Sequence, residues 1–488
     1  MPWISDSRVD AACFIATPLL IAPLFALAQL KLSVAEIGIA VGALGSTGHH
    51  LPGMIRAYGD RALFRRFRHR FILAPILLLV FCIWLANTDM QALLAIVVLW
   101  GAWHGMAQVY GILRIYDARA GSTAPLTASL DRWMCIAWFG AGLLFSDGRM
   151  AGLLETLYEA GLPLLPASRI YGFQSLWGLA TAAVTLAFFA NLIAQWRMGA
   201  PVSPLKIALM ITSFGFWWYA MVAIGNAILG VALFEVFHDV QYLAITWIFN
   251  RKRVEADHSM GPVSRFLFRP GRLKIALYVG LVFSYGVAIH LVGRLGLEVV
   301  EAEILQRSLV SVVAASALLH FYYDGFIWKL RERSTRSSLG LAGGVGDRSG
   351  PLHRGIGHAL KWTLLVAPAV GLIVAQHSAA VPILEQRRSV AAAFPSAATH
   401  LRLGIALLDH QQLDQATQEL RIAQALDPES SSVQGLEIAL FNLGNARFRR
   451  GELAEAVELY REAIALAPNR ADFRAQLDRA RVAQQRNR

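Results

Sequence analysis

The strongest constraint on this chain is a succession of apolar runs, each about as long as a bilayer is thick. A helix needs about 20 predominantly apolar residues to cross the hydrocarbon core. The sequence offers about eleven such runs, at 11–30, 35–55, 71–87, 91–116, 132–146, 170–195, 205–223, 226–249, 274–296, 308–330 and 362–380. In lipid every backbone N–H and C=O must be paired internally, so runs of this kind are expected as helices. Hydrophobic residues make up 56% of the 488 and charged ones only 16%, with a mean hydropathy of +0.47, which excludes an ordinary soluble protein. The expected fold class is all-α: a polytopic membrane bundle over 1–380, a linker at 381–394, and a small soluble helical domain over 395–488. The segment 147–168, with Glu155 and Glu159, reads as an interfacial helix or as an extension of the fifth span.

The net charge of +12 does not point to nucleic acid, because the positive residues sit mostly in short loops between apolar runs. Lysine and arginine collect in cytoplasmic loops. Loops after the even-numbered spans hold Arg56, Arg65, Arg66, Arg119, Arg197, Arg251, Lys252, Arg253 and Lys329, whereas the others hold little beyond Lys31, Arg149 and Arg169. This arrangement predicts an inner-membrane protein with a cytoplasmic N-terminus. With an odd number of spans, the C-terminal domain is expected in the periplasm. Met1 to Asp10 is polar, and no A-x-A-like site follows the first apolar run, so that run is expected to remain as a span. Cys13, Cys82 and Cys135 have no paired spacing and suggest neither a disulfide framework nor a thiolate metal site. The Gly- and Ser-rich stretch 334–358 reads as a flexible cytoplasmic loop with His353 and His358 facing solvent.

Polar side chains recur inside four of the even-numbered spans. Phe234 to Arg253 carries Glu235, His238, Asp239 and Tyr242 at i, i+3, i+4 and i+7, one face of a helix. The second span ends in His49-His50 before Pro52-Gly53, the fourth carries His104 and Gln108, and the tenth carries His320 and Asp324. His50, His104, His238 and His320 precede Arg56, Arg114, Arg251 and Lys329. At 1.5 Å per residue they lie roughly 9 to 20 Å below the basic rim, in one layer of the cytoplasmic half. Ionisable groups inside a span cost several kcal/mol and mark a site or a buried pair.

Imidazoles with carboxylates suit iron, zinc or copper, and helical bundles build such sites from inward-facing side chains, Glu-x-x-His among them. Glu235-x-x-His238 fits that spacing once. The candidate ligands are His50, His104, His238 and His320 with Glu235, Asp239 and Asp324; His49, Gln108 and Tyr242 are alternates or supports. The expected cofactor is a transition metal, iron first and haem as the alternative. The expected activity is oxidation of a lipid-soluble small molecule. In architecture, spans two to ten resemble integral-membrane iron oxygenases in the style of the bacteriorhodopsin-related β-carotene dioxygenases. That resemblance implies one iron held by histidines from several spans and a polyene-like substrate; it extends to no residue-by-residue motif. Trp103-His104-Gly105 resembles the corresponding tripeptide of membrane-bound O-acyltransferases, which implies His104 as a base in acyl transfer. Further alternatives are an electron carrier with bis-histidine haem and a non-enzymatic assembly or scaffold protein.

After residue 395 the chain turns polar and repeats itself. Leu403-Gly404, Leu408, Ala416, Leu420, Ala423 and Pro428 recur forty positions later as Leu443-Gly444, Phe448, Ala456, Tyr460, Ala463 and Pro468. These types and spacings resemble the tetratricopeptide repeat, whose usual period is about 34, with 429–434 as an insertion and 470–488 as a capping helix. The resemblance implies a protein partner and no chemistry of its own.

Overall fold

The computed structural model describes residues 2–87, 92–122, 124–159, 161–256, 261–298, 303–328, 382–427 and 436–486, and isolated helical positions between 363 and 374. The described residues form helices joined by short connections, with no strand among them. Among the described residues seven helices are long and apolar enough to cross a membrane: α5 (Arg61–Asn87), α6 (Ala92–Ala120), α9 (Ala167–Arg197), α10 (Pro204–Trp218, continued by a π turn to Ala223), α11 (Ala227–Ala256), α13 (Arg272–Glu298) and α14 (Glu303–Ile327). A bent pair, Ser7–Ile15 and Thr17–Ala28, supplies an eighth if its halves, at 51° to each other, form one span. The expectation of an all-helical chain with several apolar spans is met, and the described residues account for seven or eight of the expected eleven. Its eleventh run, 362–380, falls almost wholly outside the described residues, as do loop 334–358 with His353 and His358, and the insertion 429–434.

The fifth expected span is α7 (Pro125–Leu144), whose first turns carry Asp131 and Arg132. The second is broken. Ser33 and Glu36 form a capping box that starts a helix at Val34–Val41; a π turn at Gly42–Ser46 follows, and a new helix, α4, begins at His50 and runs to Gly59. The break follows from close backbone contact with α13. A Cβ on Gly286 would lie 2.1 Å from the Ala43 carbonyl oxygen, and one on Gly48 would lie 2.8 Å from the Val282 carbonyl oxygen. Interruptions of this kind in membrane helices persist where protein, rather than lipid, covers the freed backbone groups.

The compact unit formed by residues 1–143 and 176–373 contains these spans. Within it, α11 is the interior helix: 56% of its apolar window is buried, against 11% for α9. Leu176, Leu179, Leu186 and Phe189 on α9 face outward, as do Leu73, Ile76, Leu77 and Val80 on α5. Such apolar surface suits contact with lipid. Its core packs Met106, Val109 and Leu113 of α6 with Cys135 and Phe139 of α7, Leu209 and Trp217 of α10, and Phe234 and Phe237 of α11. Lys206 braces α10 to its neighbours, with Nζ 3.0 Å from Asp117 and 3.1 Å from Asp131; Arg114 pairs with the same two carboxylates.

The second unit takes in residues 144–175 and 374–488. It extends beyond the domain expected from the sequence in two ways. Ile383–Ala393, inside the expected linker, is a helix that packs Ala391 against Leu403 and Leu407. The segment 147–168 forms a separate helix, Asp147–Glu159, whose Met150 and Leu154 join Ile170, Val390 and Phe394 in one apolar cluster. Arg402 forms an ion pair with Glu155, and Gln386 Nε2 donates to the Glu155 carbonyl at 2.8 Å. The repeats themselves are two helical hairpins, Ala397–Asp409 with Leu413–Leu426 and Leu436–Arg449 with Leu453–Leu466, followed by Ala471–Arg486. The glycines predicted at the helix contacts are where nothing larger fits. A Cβ on Gly404 would meet Leu420 at 2.6 Å, and one on Gly444 would meet Tyr460 at 2.8 Å. Both hairpin turns use a residue with positive φ, Gln411 at 57° and Gly451 at 80°, forty positions apart like the rest of the repeat.

Gly286→Val, which forces a side chain into the Ala43 and Gly48 backbone, is expected to cost about 1–3 kcal/mol or more. Thermal unfolding in detergent measures this. An unchanged midpoint would contradict the close approach of α13 to the broken span.

Candidate metal centre

Four elements of the first unit deliver five histidines to one place. His49 and His50 stand where α4 begins, His104 projects from α6, His238 from α11 and His320 from α14, and all five are buried. The ring of His49 lies 4.9 Å from that of His50, 5.1 Å from His238 and 4.6 Å from His320; His104 lies 5.1 Å from His238 and 4.7 Å from His320. The predicted common layer is thus a cluster with touching neighbours. His49, expected only as an alternate to His50, is as central as the others. The break at 42–49 allows both members of the doublet to face inward, which adjacent residues of a regular helix, turned by about 100°, do poorly.

The carboxylates are arranged with equal definition. Asp324 Oδ1 accepts hydrogen bonds from the Tyr242 hydroxyl and the Trp328 indole N–H, both at 2.9 Å, which turns Oδ2 toward the imidazoles. Oδ2 lies 3.8 Å from His320 Nε2 and 4.0 Å from His104 Nε2, and those two nitrogens are 3.1 Å apart. In the plane of this triangle, the point equidistant from its corners lies about 2.1 Å from each, which is the length of a bond from a first-row metal to imidazole nitrogen or carboxylate oxygen. On the opposite side His49 Nδ1 stands 2.7 Å from Asp239 Oδ1, at ion-pair distance but not aligned as a hydrogen bond; the same nitrogen is 3.3 Å from the Gly45 carbonyl. Gly45 makes room for Asp239, since a Cβ there would lie 2.2 Å from Oδ2. His49, Glu235 and Asp239 form a second group with ligand-capable atoms mutually within 4.8 Å, and His49, His104 and His238 form a third.

Several of these buried polar atoms have no hydrogen-bond partner: His49 Nε2, His238 Nδ1, His320 Nδ1 and both oxygens of Asp239. Buried polar atoms are nearly always paired. The Arg56 guanidinium lies close enough for its charge to act on Asp324, whereas the ion-pair contact at Asp239 comes from His49. The chain's other buried carboxylates are provided for. Asp117 and Asp131 have Lys206 and Arg114, Asp60 has Arg253, and Asp10 accepts from the Ile4 and Ser5 amides and the Tyr116 hydroxyl. Five unpaired atoms thus gather where the imidazoles converge, while others, such as Asn87 Oδ1, Ser213 Oγ and Asn250 Nδ2, lie singly on other residues. A cation bound there would supply what they lack, and a donor set of nitrogens and carboxylate oxygens is of the kind that transition metals take.

The structure also shows supports that the sequence did not disclose. His50 Nδ1 contacts the Ser316 hydroxyl at 2.9 Å, and Tyr285 reaches the same hydroxyl at 3.2 Å, which fixes the ring and leaves its other nitrogen for the cluster. Ser316 stands one turn before His320 on α14, a spacing that could have revealed it. Gln108, expected as an alternate or a support, donates from Nε2 to the His238 backbone carbonyl at 3.0 Å and ties α6 to α11. Tyr242 serves as the support foreseen, through Asp324. Beneath Trp328, the Arg56 guanidinium lies 4.1 Å from the centres of both the Trp328 and Phe249 rings.

Comparison with known proteins reaches the tail alone: residues 438–470 match the tetratricopeptide repeat. No curated protein and no solved structure matches the chain. The tail thus carries a tetratricopeptide repeat, a class of module that mediates protein–protein interaction, and no relative supports the expected likeness of the membrane region to iron oxygenases.

Ser316→Ala leaves the His50 ring without its polar partner and is expected to destabilise the protein by about 1–3 kcal/mol. Denaturant titration in detergent measures it, and a change within about 0.5 kcal/mol would contradict a fixed His50.

Proposed function

We propose that the bundle holds a transition-metal centre, iron in the first place, that oxidises a lipid-soluble small molecule, and that the tail docks a partner protein. The observation that carries this reading is the convergence of five buried imidazoles with Glu235, Asp239 and Asp324 in three overlapping groups of ligand-capable atoms, with His49 Nε2, His238 Nδ1, His320 Nδ1 and both Asp239 oxygens lacking hydrogen-bond partners. Unpaired buried charge costs several kcal/mol per group, so the arrangement is stable only with a cation or with protons in its place. A redox-active ion in an apolar site supplies oxidising chemistry. The chain's own residues then orient the donors: Tyr242 and Trp328 hold Asp324, Ser316 holds His50, and Gln108 holds the backbone at His238. Phe321, stacked at 4.8 Å on His104, contributes an apolar wall.

The ring packing favours a bare ion over haem. A haem would lie as a flat macrocycle between two imidazoles; the near-parallel pair His49 and His104, 6.5 Å apart, has the rings of His238 and His320 within 4.6 to 5.1 Å of both, where the macrocycle would have to go. Acyl transfer by His104 as a lone base is disfavoured by the 3.1 Å contact of its Nε2 with His320. The repeat match favours a second reading, an assembly or scaffold protein whose working part is the tail.

One experiment separates the two. Detergent-purified wild type is expected to carry stoichiometric transition metal by elemental analysis. His238→Ala and His320→Ala should each lose at least half of it while eluting as folded protein. Metal-free wild type purified without chelator, or full function in both variants, would favour the scaffold.

The same reading places the protein in an inner membrane with its tail in the periplasm. Support comes from the second unit, where helix Asp147–Glu159, in a loop poor in lysine and arginine, packs with the tail helix Ile383–Ala393. The two must share one side of the membrane. An alkaline phosphatase fused after Arg488 is expected to be active, and one fused within 257–260 inactive. The reverse pattern would overturn the orientation.

A further inference from the structure

Polar groups outside the histidine cluster gather at Lys206 and in the groove of the repeats. The Lys206 cluster has two acids against two bases and is fully paired. The groove lined by Asn442, Asn445 and Arg449 offers the ordinary docking surface of its module. The ligand sets of the histidine cluster carry more.

We infer that the centre binds two metal ions rather than one, a deepening that rests on the metal-centre reading above. His104, His320 and Asp324 make one three-donor set, and His49, Glu235 and Asp239 make another; the two sets have no residue in common. The first has edges of 3.1, 3.8 and 4.0 Å, a triangle that one ion fills at ordinary bond lengths. A single ion held by the first set leaves Glu235 and Asp239 of the second with His49 as their ion-pairing neighbour and no metal of their own. His238 stands between the sets, its ring 5.1 Å from His49 and 5.1 Å from His104. Its Nδ1 has no partner. Five imidazoles and three carboxylates also exceed the four to six donors that one first-row ion takes. Paired ions sit about 3.5–4 Å apart in two-metal sites, a separation that adjacent sets joined by one imidazole can accommodate.

The test uses the full chain in detergent, stripped with a chelator and titrated with Co²⁺ alone, read by the visible d–d absorption and by elemental analysis after gel filtration. Wild type is expected to saturate at two equivalents. Asp324→Asn and Asp239→Asn should each saturate at one, and the double variant should bind none. Saturation of wild type at one equivalent overturns the two-ion inference and leaves the metal-centre reading standing. No binding at all overturns both. If either variant fails to fold, the wild-type break point alone decides between one ion and two.

Discussion

The interaction on which the bundle depends is the neutralisation of carboxylates at its centre. An apolar interior tolerates a charged group only with a partner, and the chain supplies lysine or arginine side chains to several of its other buried carboxylates. Asp117 and Asp131 are held by Lys206 and Arg114, and Asp60 by Arg253. Glu235, Asp239 and Asp324 face imidazoles instead, and an imidazole is a cation only when protonated. Crowding five of them within ring contact makes joint protonation unfavourable, since like charges disfavour one another at this range. An ion bound by neutral rings and ionised carboxylates resolves both demands together, and that is the physical core of the functional reading.

The fold serves this arrangement through α11 and the broken second span. The interior helix presents Glu235, His238 and Asp239 to neighbours on more than one side. The break at 42–49 lets two consecutive histidines enter the same cluster. Gly48 and Gly286 permit the backbone contact that covers the break, and Gly45 leaves the space that Asp239 occupies. The outer helices, α5 and α9, present leucine and isoleucine outward and contribute nothing to the site. Stability and chemistry are thus divided between layers of one bundle.

Much of this was legible in the sequence, for identifiable reasons. Histidine is rare in apolar spans, and i, i+4 spacing places His320 with Asp324 and Glu235 with Asp239 on one side of a helix whatever surrounds it. The repeats were legible because their contacts are local: Gly404 meets Leu420, and Gly444 meets Tyr460, within single hairpins. The break in the second span was not, because it depends on the backbone of α13, more than two hundred residues away. The same distance in sequence hid the contact of Tyr285 and Ser316 with His50. Ile383–Ala393 read as a linker because its apolar stripe is short, and its partners Met150, Leu154 and Ile170 lie far upstream. Gln108 shows the converse limit: helical spacing places a side chain on a face but does not choose between a ligand role and a backbone hydrogen bond.

X-ray absorption at the metal edge of the detergent-purified protein tests the central claim most directly. The account predicts a transition-metal edge with a nitrogen and oxygen shell at about 2.0–2.2 Å and the outer-shell scattering of several imidazole rings. Folded protein with no transition-metal edge, or a shell lacking the imidazole signature, would contradict it.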